Sequence, residues 1–231
     1  MKVTAGRGGE QSIPRPAEWS LGGPAPWAHL PTSARTVDLE VLSERLAGRV
    51  PGARLTGAPP PKRDSAVLIP LWDDAGEAAV ILTRRTRAMR AHSGEVSFPG
   101  GGQDPGESLW ETAVREAEEE IGLPRHLPRP LGELDRLVTF SSKAQIHPFV
   151  AQLHEVPPLV PSPAEVDRIL AVDLSVLAAD GVFHEERWRM PQLDGERTIT
   201  FFELEGDTVW GATATMLRQL LVVGMGLDDA E

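Results

Sequence analysis

The stretch GGQDPGESLWETAVREAEEEIGL, residues 101–123, predicts one capped helix around which the rest of the chain is organised. Ser108 followed three residues later by Glu111 is a capping box, in which the serine hydroxyl accepts from a first-turn N–H. Gly122 suits a left-handed C-terminal cap, and Pro124 cannot continue the helical hydrogen bonds. Apolar residues that recur on one side of a 3.6-residue helix predict its buried face. They are Trp110, Val114, Ala117 and Ile121.

The same helix carries a row of carboxylates. At about 100° per residue, Glu116, Glu119 and Glu120 fall within an arc of roughly 100° directed away from the apolar side, while Glu118 points elsewhere. Like charges one turn apart cost about 0.2–0.5 kcal/mol per pair, and no Lys or Arg lies one turn further on. A divalent cation such as Mg²⁺ would compensate this repulsion. The alternative is a solvated acidic face, the usual explanation of a charge run.

Nine positions in this stretch follow the order G-x5-E-x7-R-E-U-x-E-E-x-G-U, which resembles the Nudix box. A fixed spacing over so many positions is a specific signal, although Ala117 is small for a position that takes aliphatic residues. The resemblance implies an α+β fold, an α/β/α sandwich with a mixed β-sheet between helices. It also implies hydrolysis that depends on Mg²⁺ or Mn²⁺. The matching residues are Gly101, Glu107, Arg115, Glu116, Ala117, Glu119, Glu120, Gly122 and Leu123.

The resemblance also assigns roles to the acidic residues. It implies that Glu116 and Glu120, one helical turn apart, are metal ligands. Glu119 is then a further ligand or the base that activates water, and the carbonyl of Gly101 is an additional oxygen ligand.

Glu107 and Arg115 lie eight residues apart, and we assign them an orienting ion pair behind the metal ligands. Nudix enzymes can also supply the general base from outside the box. The sequence leaves four such candidates open: Glu165, Glu185, Glu186 and Glu203.

The segment before the box is basic. Four arginines, Arg84, Arg85, Arg87 and Arg90, occupy seven positions, and guanidinium groups suit phosphate oxygens through bidentate hydrogen bonds. We therefore predict a phosphate-binding role for them. The alternative is that some of them pair with the acidic cluster or with Glu95.

The same segment resembles the signature that coenzyme A pyrophosphatases of the Nudix superfamily place before their box. It departs from that signature only at Ile81 and Thr86. The resemblance implies hydrolysis of coenzyme A or its thioesters to 3′,5′-ADP and a 4′-phosphopantetheine product. The matching residues are Leu82, Thr83, Arg85, Arg90, Gly94, Phe98, Pro99, Gly100 and Gly101.

Two other functions stay open. The first keeps the fold and changes the substrate to ADP-ribose, a dinucleotide or an oxidised nucleotide. The second is a Nudix-like domain that binds a nucleotide or a regulatory partner without catalysis, although such modules tolerate loss of the box acids and all of them are present here.

Length and composition indicate the number of domains and the kind of substrate. The chain has 231 residues, which favours one domain. Its net charge of −11 would repel a nucleic-acid backbone, so a small nucleotide is the better substrate. The chain has no cysteine, which excludes disulfides, thiolate metal sites and cysteine nucleophiles. No apolar run approaches the ~18 residues of a membrane span. We predict a cytoplasmic protein with no membrane partner, and a homodimer is kept as an alternative to a monomer.

The pattern along the chain predicts the domain organisation. Residues 1–36 are rich in Gly and Pro and predict a flexible or loosely docked extension, in which Trp19 and Trp27 would each pack on the domain or on a partner. Residues 37–231 form the predicted hydrolase domain. Besides the central helix, we predict helices over 37–49 and from 210 to about 223, and strands over 66–72, 78–83, 131–140, 146–153, 182–190 and 198–204. Residues 165–177 are predicted to form a strand followed by a short helical piece.

Overall fold

The computed structural model describes residues 2–3, 8–9, 11–54, 61–86, 94–139, 143–189 and 195–227. Within these ranges lie one 3₁₀ turn, Thr32–Ala34, and four α-helices. The helices are α1 Leu39–Ala47, α2 Leu109–Ile121, α3 Leu174–Ala178 and α4 Gly211–Met225.

The strands form two sheets. In chain order they are β1 Lys2–Val3, β2 Trp19–Leu21, β3 Ala53–Arg54, β4 Arg63–Asp73, β5 Ala78–Arg85, β6 Val96–Ser97, β7 Gly100–Gly102, β8 Arg129–Glu133, β9 Arg136–Val138, β10 Ala144–Gln152, β11 Val166–Asp173, β12 Phe183–Arg189, β13 Glu196–Leu204 and β14 Asp207–Trp210.

The larger sheet is mixed, in the order β1-β11-β5-β4-β10-β9-β3, with β6 paired to β5, β7 to β4 and β8 to β10. Strands β4 and β10 run parallel at its centre, whereas β5 is antiparallel to both β4 and β11. The smaller sheet is antiparallel in the order β14-β13-β12-β2.

Helices cover both faces of the larger sheet. The apolar side of α2 packs on one face, where Ala117 and Ile121 meet Leu68 and Ile81. Helices α1 and α4 and the smaller sheet share the core of the other face. The predicted α+β fold, an α/β/α sandwich with a mixed sheet between helices, is confirmed.

The central helix begins and ends where its sequence predicts. The hydroxyl of Ser108 accepts from the N–H of Glu111 at 3.2 Å, and the Glu111 carboxylate accepts from the N–H of Ser108 at 2.7 Å. Gly122 closes the helix with a φ of 68°. The capping box and the left-handed cap are therefore both formed.

The predicted strand over 131–140 is wrong as a single element, because it divides into β8 and β9. Between the two, the carboxylate of Asp135 accepts from the N–H of Gly52 at 2.7 Å and from the amide of Gln219 at 2.6 Å. Asp135 therefore lies between the two strands and belongs to neither of them. Six further strands were not predicted: β1, β2, β3, β6, β7 and β14.

The N-terminal segment supplies core residues, which differs from the expectation of a loosely docked extension. Trp27 is 1% exposed, and its indole N–H donates to the carbonyl of Ala178 at 3.1 Å. Strand β2 pairs with β12 through Trp19 and Trp188. The boundary at residue 36 remains a prediction. In the part of the chain that the structure describes, none of the helices has the length and hydropathy needed to cross a membrane.

Candidate active site

Four elements meet around the acidic side of α2. The helix contributes Glu116 and Glu120, strand β7 contributes Gly101, strand β5 ends at Arg85, and the loop before β11 contributes Glu165. The structure therefore brings the predicted metal ligands together with one predicted phosphate-binding arginine and one candidate base.

Glu120 is the buried member of this group. Its side chain is 2% exposed, Oε1 lies 3.4 Å from Nη1 of Arg85, and Oε2 has no hydrogen-bond partner. Burial raises the pKa of Glu120 to about 7, and the nearby carboxylates of Glu116 and Glu165 act in the same direction. A buried carboxylate oxygen without a partner is costly, so a bound cation would stabilise it.

Glu116 lies against the backbone of Gly101. A Cβ at residue 101 would come within 2.4 Å of Glu116 Oε1, so this close approach requires glycine. Nη1 of Arg115 donates to the same oxygen at 2.9 Å. Burial raises the pKa of Glu116, an effect that Arg115 opposes. The contact places the Gly101 backbone beside a predicted ligand.

Arg115 and Glu107 form the predicted ion pair. Nε of Arg115 donates to Glu107 Oε1 at 2.7 Å, and Nη2 donates to Glu107 Oε2 at 3.2 Å. The Thr112 hydroxyl donates to Glu107 Oε2 at 3.0 Å, a contact that no sequence signal indicated. Hydrogen bonding from Arg115 is the main reason that the pKa of Glu107 falls to about 2. Because Arg115 Nη2 also donates to the Gly102 carbonyl at 3.1 Å, the pair ties helix α2 to β7.

Arginines also relieve the repulsion along α2, although the sequence has no Lys or Arg one turn beyond the acidic residues. Arg115 lies one turn before Glu119, and its Nη1 donates to Glu119 Oε2 at 3.1 Å. Arg125, beyond the helix, donates to Glu118 at 2.5 Å. Glu119 stays 54% exposed, so its carboxylate faces solvent.

The two predicted phosphate-binding arginines in the described part of β5 point to opposite faces of the sheet, because side chains alternate along a strand. Arg85 faces α2, whereas Arg84 lies 2.7 Å from Asp167 and 3.2 Å from the fully buried Asp207. The structure thus shows the alternative, pairing with the acidic cluster, for Arg85, which lies 3.4 Å from Glu120. Arg84 pairs with two aspartates outside that cluster, which was not predicted. Arg87 and Arg90 lie outside the described residues, and phosphate binding by the four arginines remains a prediction.

Of the four candidate bases outside the box, Glu165 lies beside the acidic side of α2. Its carboxylate raises the pKa of both Glu116 and Glu120. The other three lie on the smaller sheet and contact other groups. Arg218 lies 3.4 Å from Glu185, Arg15 lies 2.7 Å from Glu186, and the Thr208 hydroxyl donates to Glu203 at 2.7 Å.

The acidic residues fit a divalent ion by their chemistry. Within the described ranges, no three His, Cys, Asp or Glu side chains converge as a preformed metal-ligand cluster. Carboxylate oxygens are nevertheless the ligands that Mg²⁺ prefers, Oε2 of Glu120 has no hydrogen-bond partner, and the charge of Glu116 raises the pKa of Glu120. Glu116 and Glu120 therefore supply the carboxylate oxygens that would hold such an ion.

The chain is similar to known proteins in sequence and in fold. A family model described as NUDIX domain matches residues 62–192. A Photorhabdus laumondii protein described as an uncharacterized Nudix hydrolase, NudL, is 36% identical over 169 residues, covering 70% of this chain and 88% of its own. A Yersinia pestis protein with the same description is 33% identical over 159 residues, covering 68% and 78%. A solved MutT/nudix family protein from Enterococcus faecalis aligns with a TM-score of 0.46 at 14% identity, covering 81% of this chain and 70% of its own.

Proposed function

This chain belongs to the Nudix family, and on that premise we propose that it hydrolyses the phosphoanhydride of coenzyme A or of its thioesters. The products would be 3′,5′-ADP and 4′-phosphopantetheine or its acyl form. Nudix hydrolases act on phosphoanhydride bonds and generally use divalent metal ions such as Mg²⁺. The choice of coenzyme A as substrate is the proposed part.

The observation that carries this choice is the segment from Leu82 to Gly101, whose spacing resembles that of coenzyme A pyrophosphatases. Its described residues are closely packed. Phe98 is 2% exposed, and a Cβ on Gly100 would come within 2.4 Å of the Ala66 carbonyl oxygen. The Gly100 contact is with β4, which pairs with both β7 and β5. The segment thus supplies two residues beside the acidic side of α2, Arg85 at the end of β5 and Gly101 on β7.

In the proposed reaction, Glu116 and Glu120 hold the divalent ion, with Glu119 and the Gly101 carbonyl as further ligands. Such an ion lowers the repulsion between a nucleophile and the anionic phosphates and stabilises the leaving phosphate. The protein orients the ligand carboxylates. Nη1 of Arg115 donates to Glu116 Oε1 at 2.9 Å, and Nη2 of the same guanidinium donates to the Gly102 carbonyl on β7.

We assign Glu165 as the general base that takes the proton from the attacking water. Glu119, the alternative, accepts from Arg115 Nη1 at 3.1 Å, so a guanidinium already occupies its carboxylate. Glu165 is held less tightly, since the nearest guanidinium nitrogen, on Arg85, is 3.7 Å from its Oε2. It is also half-exposed, so water can reach it.

A second substrate class, ADP-ribose or a dinucleotide, is favoured by one observation. Arg84 is engaged with Asp167 and Asp207 on the face of the sheet away from α2. One arginine fewer is then available for the 3′-phosphate that distinguishes coenzyme A. We keep the predictions of a small nucleotide-derived substrate, of a cytoplasmic protein with no nucleic-acid or membrane partner, and of a homodimer as an alternative.

The test is a substrate panel with coenzyme A, dephospho-coenzyme A and ADP-ribose, each with Mg²⁺, with Mn²⁺ and with chelator, followed by mass analysis of the products. We expect coenzyme A to give 3′,5′-ADP only with metal. Dephospho-coenzyme A lacks only the 3′-phosphate, and we expect it to react more slowly. Equal or faster cleavage of ADP-ribose would overturn the coenzyme A assignment in favour of the second class.

A further inference from the structure

Arg85 occupies the position of a cation within the acidic site. Its Nη1 lies 3.4 Å from Glu120 Oε1, and its Nη2 lies 3.7 Å from Glu165 Oε2. Among the described residues, no other basic side chain lies within 4.0 Å of either carboxylate. One guanidinium is thus divided between two carboxylates that also repel each other.

The geometry of this contact is loose when compared with the neighbouring Arg115–Glu107 pair. That pair has two nitrogen–oxygen contacts of 2.7 and 3.2 Å, the fork arrangement of a strong charge-assisted hydrogen bond. Arg85 reaches Glu120 and Glu165 with one nitrogen each and at longer distances. The Arg85 contacts are therefore weaker hydrogen bonds than those of Arg115, and another cation beside Glu120 could replace them.

The backbone of Arg85 is fixed while its side chain is not. Its N–H donates to the Glu95 carbonyl at 2.9 Å, and β5 pairs it with Val166 on β11. The side chain is 21% exposed, so the guanidinium can turn toward solvent without unfolding the strand. Glu120 Oε2, meanwhile, has no hydrogen-bond partner even with Arg85 in place. The arginine therefore leaves the most buried oxygen unsatisfied.

We propose that Arg85 is an exchangeable counter-cation, which shares Glu120 and Glu165 in the metal-free protein and is released toward solvent when a divalent ion binds Glu120. The proposal rests on the proposed function only in taking Glu120 as a metal ligand. A divalent ion and a guanidinium repel each other at short range, and the small ion satisfies Oε2, which Arg85 does not reach. Arg85 and the ion therefore compete for one carboxylate.

The first test measures Mn²⁺ binding without substrate, by the electron paramagnetic resonance signal of free Mn²⁺. Removing the competing cation in Arg85→Gln should tighten Mn²⁺ binding by at least about fivefold, whereas Arg85→Lys, which keeps the charge, should stay within about twofold of wild type. Arg189→Gln is the matched control, because it removes the same charge from an exposed position on the smaller sheet. Unchanged or weaker binding by folded Arg85→Gln would overturn the proposal.

A second measurement uses the wild-type protein and so does not depend on how the variants fold. The side-chain Nε–H resonance of Arg85 should move toward that of exposed arginines as Mg²⁺ is added, while the resonance of Arg49, which pairs with Asp135 away from the acidic side of α2, stays in place. An Arg85 resonance that does not move at saturating Mg²⁺ would contradict the exchange.

These outcomes are separable from the proposed function. Undiminished Mn²⁺ binding by Glu120→Gln would remove the metal assignment, and with it the premise of the exchange. Failure to cleave coenzyme A, with Mn²⁺ binding intact, would remove only the substrate assignment and would leave the exchange standing.

Discussion

The backbone N–H of Ser162 donates to the carbonyl oxygen of Glu120 at 2.8 Å. Two residues earlier, the N–H of Val160 donates to the Ile121 carbonyl at 3.0 Å. The last turn of a helix leaves its carbonyls without intrahelical partners, and here the proline-rich loop before β11 satisfies two of them. Because Glu165 follows directly, the loop carries it to the acidic side of α2.

The first prediction concerns this residue. Glu165→Gln should reduce turnover by about 10²–10³-fold, since general-base catalysis contributes about that much and the amide cannot take the proton. The loop contacts are made by backbone groups, so the thermal midpoint should change little. Single-turnover kinetics and thermal unfolding check both expectations. Glu155→Gln, in another exposed loop, is the control and should react like wild type. If Glu165→Gln keeps more than half of wild-type turnover, the base is another group.

The second prediction tests the close approach of Gly101 to Glu116. A methyl group at residue 101 would come within 2.4 Å of Glu116 Oε1, so Gly101→Ala must displace a predicted metal ligand. We expect Mn²⁺ binding to weaken by about tenfold or more and turnover to fall with it. Calorimetric titration with Mn²⁺ measures the change.

Gly102→Ala supplies the matched control for that variant. A Cβ on Gly102 has no heavy atom within 4 Å, although the residue is the next one along β7. It should bind Mn²⁺ with wild-type affinity. Equal effects of the two substitutions would show that backbone flexibility of β7, and not the displaced carboxylate, causes the loss.

The sequence predicted the parts of the site that depend on short-range contacts. The caps of α2 involve residues three or four positions apart, and the Glu107–Arg115 pair follows from the spacing of one loop and one helix. The sequence predicted that Glu120 lies on the polar side of α2 but did not predict that its side chain is buried. Helical geometry placed its side chain on the polar side, but β7 and the loop at Ser162 cover that part of the helix. Its burial is therefore a tertiary property that a helical projection cannot give.

The arginines show the same limit. Alternation along a strand puts Arg84 and Arg85 on opposite faces, yet the sequence does not say which face carries the site. That depends on the position of β5 between β4 and β11. Arg84 meets Asp207, which lies 123 positions further along the chain. No local pattern predicts a contact of that separation.

The third prediction is a pH dependence of stability in the metal-free protein. Burial raises the pKa of Glu120 from 4.5 to about 7, so the folded protein holds the Glu120 proton more tightly than the unfolded chain does. The stability that this proton contributes is fully present below about pH 4.5 and is lost as the pH rises through about 7. Above pH 7, the buried ionised carboxylate lowers the free energy of unfolding by an amount on the order of 3 kcal/mol. Glu120→Gln has no carboxylate to ionise, so its free energy of unfolding is not lowered in this way. Thermal unfolding with chelator should therefore show the variant more stable than wild type by about 5 °C or more at alkaline pH.

The difference between Glu120→Gln and wild type should shrink as the pH falls from 8 toward 5, because the folded wild-type protein takes up a proton at Glu120. Glu118→Gln is the control, since that exposed residue faces Arg125 on the other side of the helix. A constant difference across this range would show that Glu120 does not titrate as its burial implies. Mn²⁺ should stabilise wild type and not Glu120→Gln.

The last prediction concerns the N-terminal segment, where Trp27 packs edge-to-face on Phe183 with ring centroids 5.1 Å apart. Trp27→Ala should lower the free energy of unfolding by about 3–5 kcal/mol, because it opens a cavity and leaves the Ala178 carbonyl without its indole donor. Trp19, 46% exposed, is the matched control, and Trp19→Ala should cost about 1 kcal/mol or less. Denaturant unfolding measures both. A chain of residues 37–231 should then be destabilised by at least as much as Trp27→Ala, whereas wild-type stability of that truncated chain would establish residue 36 as a true domain boundary.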